Sequence, residues 1–114
     1  MLPEKPILTF WMCKMNEDKT AIDKNTLIQN IKHLDGWSLK KRDTIIERNF
    51  TFNNFKDITL FLNHLINTIN TLNHHPDFSL DTSSRIVFVS LTTHSEGCIT
   101  QSDMDFASEL NKHY

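Results

Sequence analysis

The chain has 114 residues, with 12 Lys and Arg against 14 Asp and Glu, a formal net charge of −2. Its composition is 39% hydrophobic and 23% charged, which fits one folded domain and excludes a disordered chain. The near-neutral balance lacks the basic surplus that non-specific nucleic-acid binding needs. Two glycines argue against a Gly-rich phosphate loop, and no apolar run approaches a membrane span. Cys13 and Cys98 make neither a disulfide framework nor a CxxC pair, so a reducing compartment, the cytoplasm, is expected.

Residues 1–19 hold two of the three prolines and three of the four methionines. They read as an extension, with a short strand around Ile7 to Met12, before a main domain over residues 20–114. Thr20, with Asp23 three residues on, resembles a capped helix start. Leu27, Ile28, Ile31 and Leu34 follow at helical spacing, and Gly36 suits the left-handed residue that ends such a helix. Trp37 to Leu39 and Thr44 to Phe52 read as a hairpin across a charged turn. Ile46, Phe50 and Phe52 share one parity, with Arg48 as the exception.

The second helix is the clearest element. Phe55, Ile58, Leu62, Leu65, Ile69 and Leu72 form an apolar stripe at spacings of three and four, and Pro76 stops it. Phe78 to Leu80 and Ile86 to Thr93 form a second hairpin around the turn-forming Asp81 to Ser84. Thr100 and Asp103 make a capping box before an amphipathic helix carrying Phe106, Ala107 and Leu110. The expected fold is α+β, in the order α-β-β-α-β-β-α, with a four-stranded antiparallel sheet and helices packed on one face. The apolar last strand, if left at an edge, favours pairing with another subunit.

Three of the six histidines end elements: His74 and His75 follow the second helix, and His94 follows the last strand. Facing residues of an antiparallel hairpin have a constant index sum. Pairing His74 with His94 gives 168, which centres the turn on Ser84. The hairpin would thus carry the histidine pair alongside His94. Imidazoles titrate near neutrality, so such a cluster suits proton transfer. Two readings compete: loop histidines on the surface, and a zinc site drawing on His74, His75, His94 and Cys98. Adjacent histidines in an extended segment point apart, which disfavours one shared metal. His33, His64 and His113 read as solvated helix positions.

Asn73-His74-His75-Pro76-Asp77-Phe78, then Val87 through Leu91-Thr92-Thr93-His94, then Gly97 to Thr100 and Asp103, resemble the pterin-4a-carbinolamine dehydratases. Gly36-Trp37, the Phe50, Phe52 and Phe55 spacing and the apolar helix are similar to that family too. The resemblance covers about residues 20–112. It implies the same α+β fold, with homodimers formed through edge strands and homotetramers through helices. It also implies dehydration of 4a-hydroxytetrahydrobiopterin to quinonoid dihydrobiopterin, in tetrahydrobiopterin recycling, with no metal or organic cofactor.

By matching position, the resemblance makes His74 and His94 the acid and base, with His75 contacting the pterin and sharing proton work. Asn73, Pro76, Phe78 and Thr93 would line the pocket. Several positions depart from the pattern. Asn70 and Asn73 stand where carboxylates are usual, and an aromatic in the second hairpin is missing. The loop after Leu80 is about two residues longer than common, and Cys98 replaces a usual glycine. The alternative function is a weakened family member acting as a protein-binding or dimerisation module through its helix faces, since some animal relatives serve a transcription factor in that way.

Overall fold

The computed structural model describes residues 22–114. The expected extension over residues 1–19, its strand near Ile7 to Met12, and Thr20 lie outside them. Helix α1 spans Lys24–Lys32 and is capped by Asp23, whose carboxylate accepts from the N–H groups of Asn25 and Thr26. Asp23, expected inside the first turn, is therefore the cap itself. The Thr26 hydroxyl donates to the same carboxylate at 2.7 Å, and together these bonds hold it below its ordinary 3.8.

Strands β1 (Ser38–Lys40) and β2 (Ile45–Thr51) form the first hairpin, with Leu39 opposite Ile46. Its turn places Lys41, Arg42 and Asp43 at positive φ, an uncommon run for residues with a Cβ. Helix α2 (Phe55–Leu72) starts at Asn54, whose side chain accepts from the Asp57 N–H. It ends before Pro76 acts, because Asn73 takes the left-handed conformation at φ 51°.

Strands β3 (Asp77–Asp81) and β4 (Ile86–Leu91) form the second hairpin, and α3 spans Gln101–Leu110. All strand pairs are antiparallel, in the order β1-β2-β4-β3. The apolar β4 is thus interior, and the edges fall to β1 and β3. This corrects the expectation that β4 might offer an edge; a strand this apolar on alternate residues is covered by neighbours on both sides.

One sheet face is dry. Ile46 and Phe50 of β2 and Val87, Val89 and Leu91 of β4 pack against Leu27, Ile58, Phe61, Leu65, Phe106 and Leu110 from the three helices. The other face carries Glu47, Asn49, Ser79, Phe88 and Ser90, and among the described residues no layer covers it. The α2 stripe is rotated from its expected position. Phe61 and Thr68 are buried, whereas Phe55 and Leu72 are exposed. Phe61 lies 4.4 Å from Phe50 and 5.2 Å from Phe52, centroid to centroid.

Arg48, the parity exception, is accounted for by the end of the chain. Its guanidinium lies over Phe50 and donates to Asn111 Oδ1 at 2.6 Å and to the Tyr114 carbonyl at 2.9 Å. Trp37 Nε1 donates to the same Asn111 oxygen, while Asn111 Nδ2 donates to the Asp35 carbonyl. Gly36 is needed beside this cluster twice over: its φ is +85°, and a Cβ there would meet Arg48 Nε.

Candidate active site

The left-handed Asn73 turns the chain out of α2, and His74 follows directly. The His74 side chain is 15% exposed, and its Nε2 lies 2.5 Å from Oδ1 of Asp103, which is wholly buried. Phe106 meets the imidazole edge-on at 6.1 Å. Asp103 is also the third residue of α3, where its other oxygen completes the capping box by accepting from the Thr100 N–H at 2.9 Å. That oxygen accepts from the Thr93 hydroxyl too, at 2.9 Å. With its proton committed to Asp103, Thr93 Oγ1 receives the Thr100 hydroxyl at 2.7 Å.

One carboxylate thus answers three donors, as a buried acid must. Because Asp103 only accepts, His74 presents Nε2–H to it. Nδ1 is then the nitrogen left for chemistry.

Thr93 is held from the other side by the turn that follows. Its N–H donates to the Cys98 carbonyl, and its own carbonyl accepts from Glu96 and Gly97. His94 begins that turn. Its Nε2 lies 3.1 Å from Asp77 Oδ2, and both side chains are largely exposed. His75 and Phe78 are exposed, Asn73 is exposed, and Pro76 is half-buried.

The structure brings His74 and Thr93 together through Asp103. It ties His94 to Asp77 instead, and among the described residues no imidazole bonds to another. The hairpin explains part of this: Asp77 pairs with Ser90 and Phe78 with Val89, an index sum of 167. The register is one residue from the 168 expected, and a one-residue slip exchanges faces.

The losses at Asn70 and Asn73 do not leave the histidines without acids, because His74 and His94 each have an aspartate partner from elsewhere in the chain. Asp103 was visible in the sequence as a capping acid, but nothing in the spacing linked it to a residue 29 positions away. His64 also departs from expectation. It bonds the carbonyls of Glu109 and Leu110 at the end of α3 and stacks on Tyr114. Cys98 is disulfide-bonded, which corrects the reading of a chain without disulfides and removes it as a thiolate ligand. Among the described residues, no three His, Cys, Asp or Glu side chains converge as metal ligands. No helix among them is long and apolar enough to cross a membrane.

The model of the family described as pterin 4 alpha carbinolamine dehydratase matches residues 20–113. A protein of Sulfurisphaera tokodaii, named as a candidate pterin-4-alpha-carbinolamine dehydratase, is 36% identical over 84 residues, covering 74% of this chain and 86% of that one. A Picosynechococcus protein of the same name is 40% identical over 76 residues, covering 67% and 78%. The crystal structure of a transcriptional coactivator/pterin dehydratase from Brucella melitensis superposes with a TM-score of 0.73 at 27% identity, covering 80% of this chain and 95% of that one. With the match running from residue 20 to residue 113 and the fold recurring in the Brucella protein, the chain belongs to the pterin 4 alpha carbinolamine dehydratase family.

Proposed function

We propose that the chain dehydrates 4a-hydroxytetrahydrobiopterin to quinonoid dihydrobiopterin, in tetrahydrobiopterin recycling, with His74 and His94 as acid and base. The observation that carries this reading is His74 itself. A wholly buried carboxylate fixes its ring, yet the side chain stays 15% exposed, so it is both oriented and reachable.

The reaction breaks the C4a–O bond. The hydroxyl leaves as water with a proton from one imidazolium, and the other imidazole takes a proton from a ring N–H as the new double bond forms. One proton is given and one taken, so proton transfer alone balances the step. Asp103 acts through His74 and is a positioning residue. Thr93 directs its hydroxyl to Asp103, so it supports the carboxylate. Exposed His75 and Phe78, with Asn73 and Pro76, are placed to contact the pterin. Homodimers through the β3 edge and homotetramers through α2 complete the reading.

The test is turnover of 4a-hydroxytetrahydropterin by purified protein beside a His74→Ala/His94→Ala double mutant. Catalysis in the wild type that vanishes in the mutant is expected. A folded wild type without turnover refutes the reading. The second reading, a protein-binding module, draws on the exposed apolar Phe55, Leu60 and Ile66 of α2 and on the coactivator title of the Brucella relative. It predicts that changes on that helix face, rather than at the histidines, abolish the biological role.

A further inference from the structure

His94 is held differently from His74. Its side chain is 72% exposed, and Asp77 Oδ2, 3.1 Å from Nε2, is its one side-chain partner among the described residues. An imidazole so open to solvent samples several rotamers, and fixing one of them at the moment of reaction costs entropy. Asp77 is placed to fix it beforehand. It opens β3 and pairs with Ser90 of β4, so its backbone is set by the sheet, whereas His94 lies in the turn beyond β4. A carboxylate only accepts, so this bond puts the ring hydrogen on Nε2 and leaves Nδ1 free. His74 is left with the same nitrogen by Asp103.

The acid that holds His94 also belongs to the segment that carries His74. In His74-His75-Pro76-Asp77 one end is tied to Asp103 in α3 and the other to His94. Pro76, with its φ locked by the ring, stands between the two ties. We propose that Asp77 is a positioning residue for His94, an acceptor that selects its rotamer and its free nitrogen. The segment from His74 to Asp77 then sets the spacing between the two reacting imidazoles. The proposal rests on the dehydratase reading and assigns a role within it.

The test follows His94 by NMR in the ¹⁵N-labelled full chain and steady-state dehydration in the same proteins. Wild-type His94 should show the Hα–Hβ couplings of one fixed rotamer, and Asp77→Ala should show averaged ones. Asp77→Ala should lower kcat about 10–100-fold while KM changes far less. In a His94→Ala background it should add nothing, because the two side chains act as a unit. Asp77→Asn should recover most of the loss. Among the described residues no other side chain bonds the Asp77 carboxylate, so an amide there is free to turn its oxygen to His94. An ion pair this exposed adds little to stability, so thermal melting should match the wild type in each Asp77 variant. Four results would overturn the proposal: a folded Asp77→Ala protein with kcat within about threefold of wild type, a loss that adds to that of His94→Ala, an Asp77→Asn protein as slow as Asp77→Ala, or averaged His94 couplings in the wild type. The two readings fail separately. A wild type with a fixed His94 and no turnover refutes the dehydratase reading, whereas averaged couplings beside normal turnover refute the role of Asp77 alone.

Discussion

Replacing Asp103 with asparagine separates orientation of His74 from its mere presence. The amide is nearly isosteric, so the cavity and the helix start survive. Its carbonyl serves best toward Thr93 and Thr100, where two donors converge. The NH₂ then faces His74 Nε2 at a place where an acceptor stood at 2.5 Å. The imidazole can answer a donor only by moving its own hydrogen to Nδ1, so the nitrogen facing the substrate arrives in the wrong form. Loss of a charge-assisted buried bond costs about 1.5–3 kcal/mol, which lowers Tm by roughly 6–20 °C for a domain of this size. Loss of correctly placed proton transfer lowers kcat by about 10²–10⁴-fold, with KM changing far less. Thermal melting and steady-state dehydration of the pterin carbinolamine measure the two effects on one sample. A folded Asp103→Asn protein with kcat within about threefold of wild type refutes the positioning role, because lost acid–base catalysis exceeds that margin.

Phe61→Ala should cost about 3–5 kcal/mol in guanidinium titration, because the ring is wholly buried. Phe55→Ala on the same helix should stay within about 0.5 kcal/mol, since that ring is 53% exposed. Asn73→Gly should leave stability nearly unchanged, whereas Asn73→Ala should cost about 1–2 kcal/mol, the penalty of the left-handed conformation. In acid, α1 should fray ahead of the sheet. Bonds from Thr26 and Asn25 hold the Asp23 carboxyl below 3.8, so its support is present above that value and fades as pH falls through the lowered one. Amide exchange at Asn25 and Thr26 between pH 5 and about pH 2 reports it; unchanged protection across that range would remove the cap from the account.

Elements governed by neighbours a few residues away were readable in advance. Both hairpins, α2 and the capping box of α3 follow from alternation, helical spacing and turn chemistry. Thr20 and Asp23 show where local pattern is ambiguous, since either residue type caps a helix and only the first turn's hydrogen bonds decide. Phe61 escaped because the stripe from Phe55 to Leu72 satisfies helical spacing equally well when rotated by about one residue. Arg48 looked anomalous because its partners, Asn111 and Tyr114, are more than sixty positions away. The same limit governs the site. The histidine motif singled out His74 and His94 as candidates, but the acids that bond them come from α3 and from the start of β3. The hairpin register differs by one residue from the one read in the sequence. Spacing offers candidate groups; the sheet register and the docking of α3 decide what each one bonds to.

Asn111 has a kinetic consequence. Its amide joins Asp35, Trp37 and Arg48 across separations of 76, 74 and 63 residues, which predicts that its bonds form late, once the end of α3 docks against the first hairpin. Interactions absent from a folding transition state leave the forward rate alone and slow the reverse one. Asn111→Ala should therefore accelerate unfolding while refolding keeps its wild-type rate, and the folded lifetime of the molecule is governed at the last turn of the chain, away from the histidines.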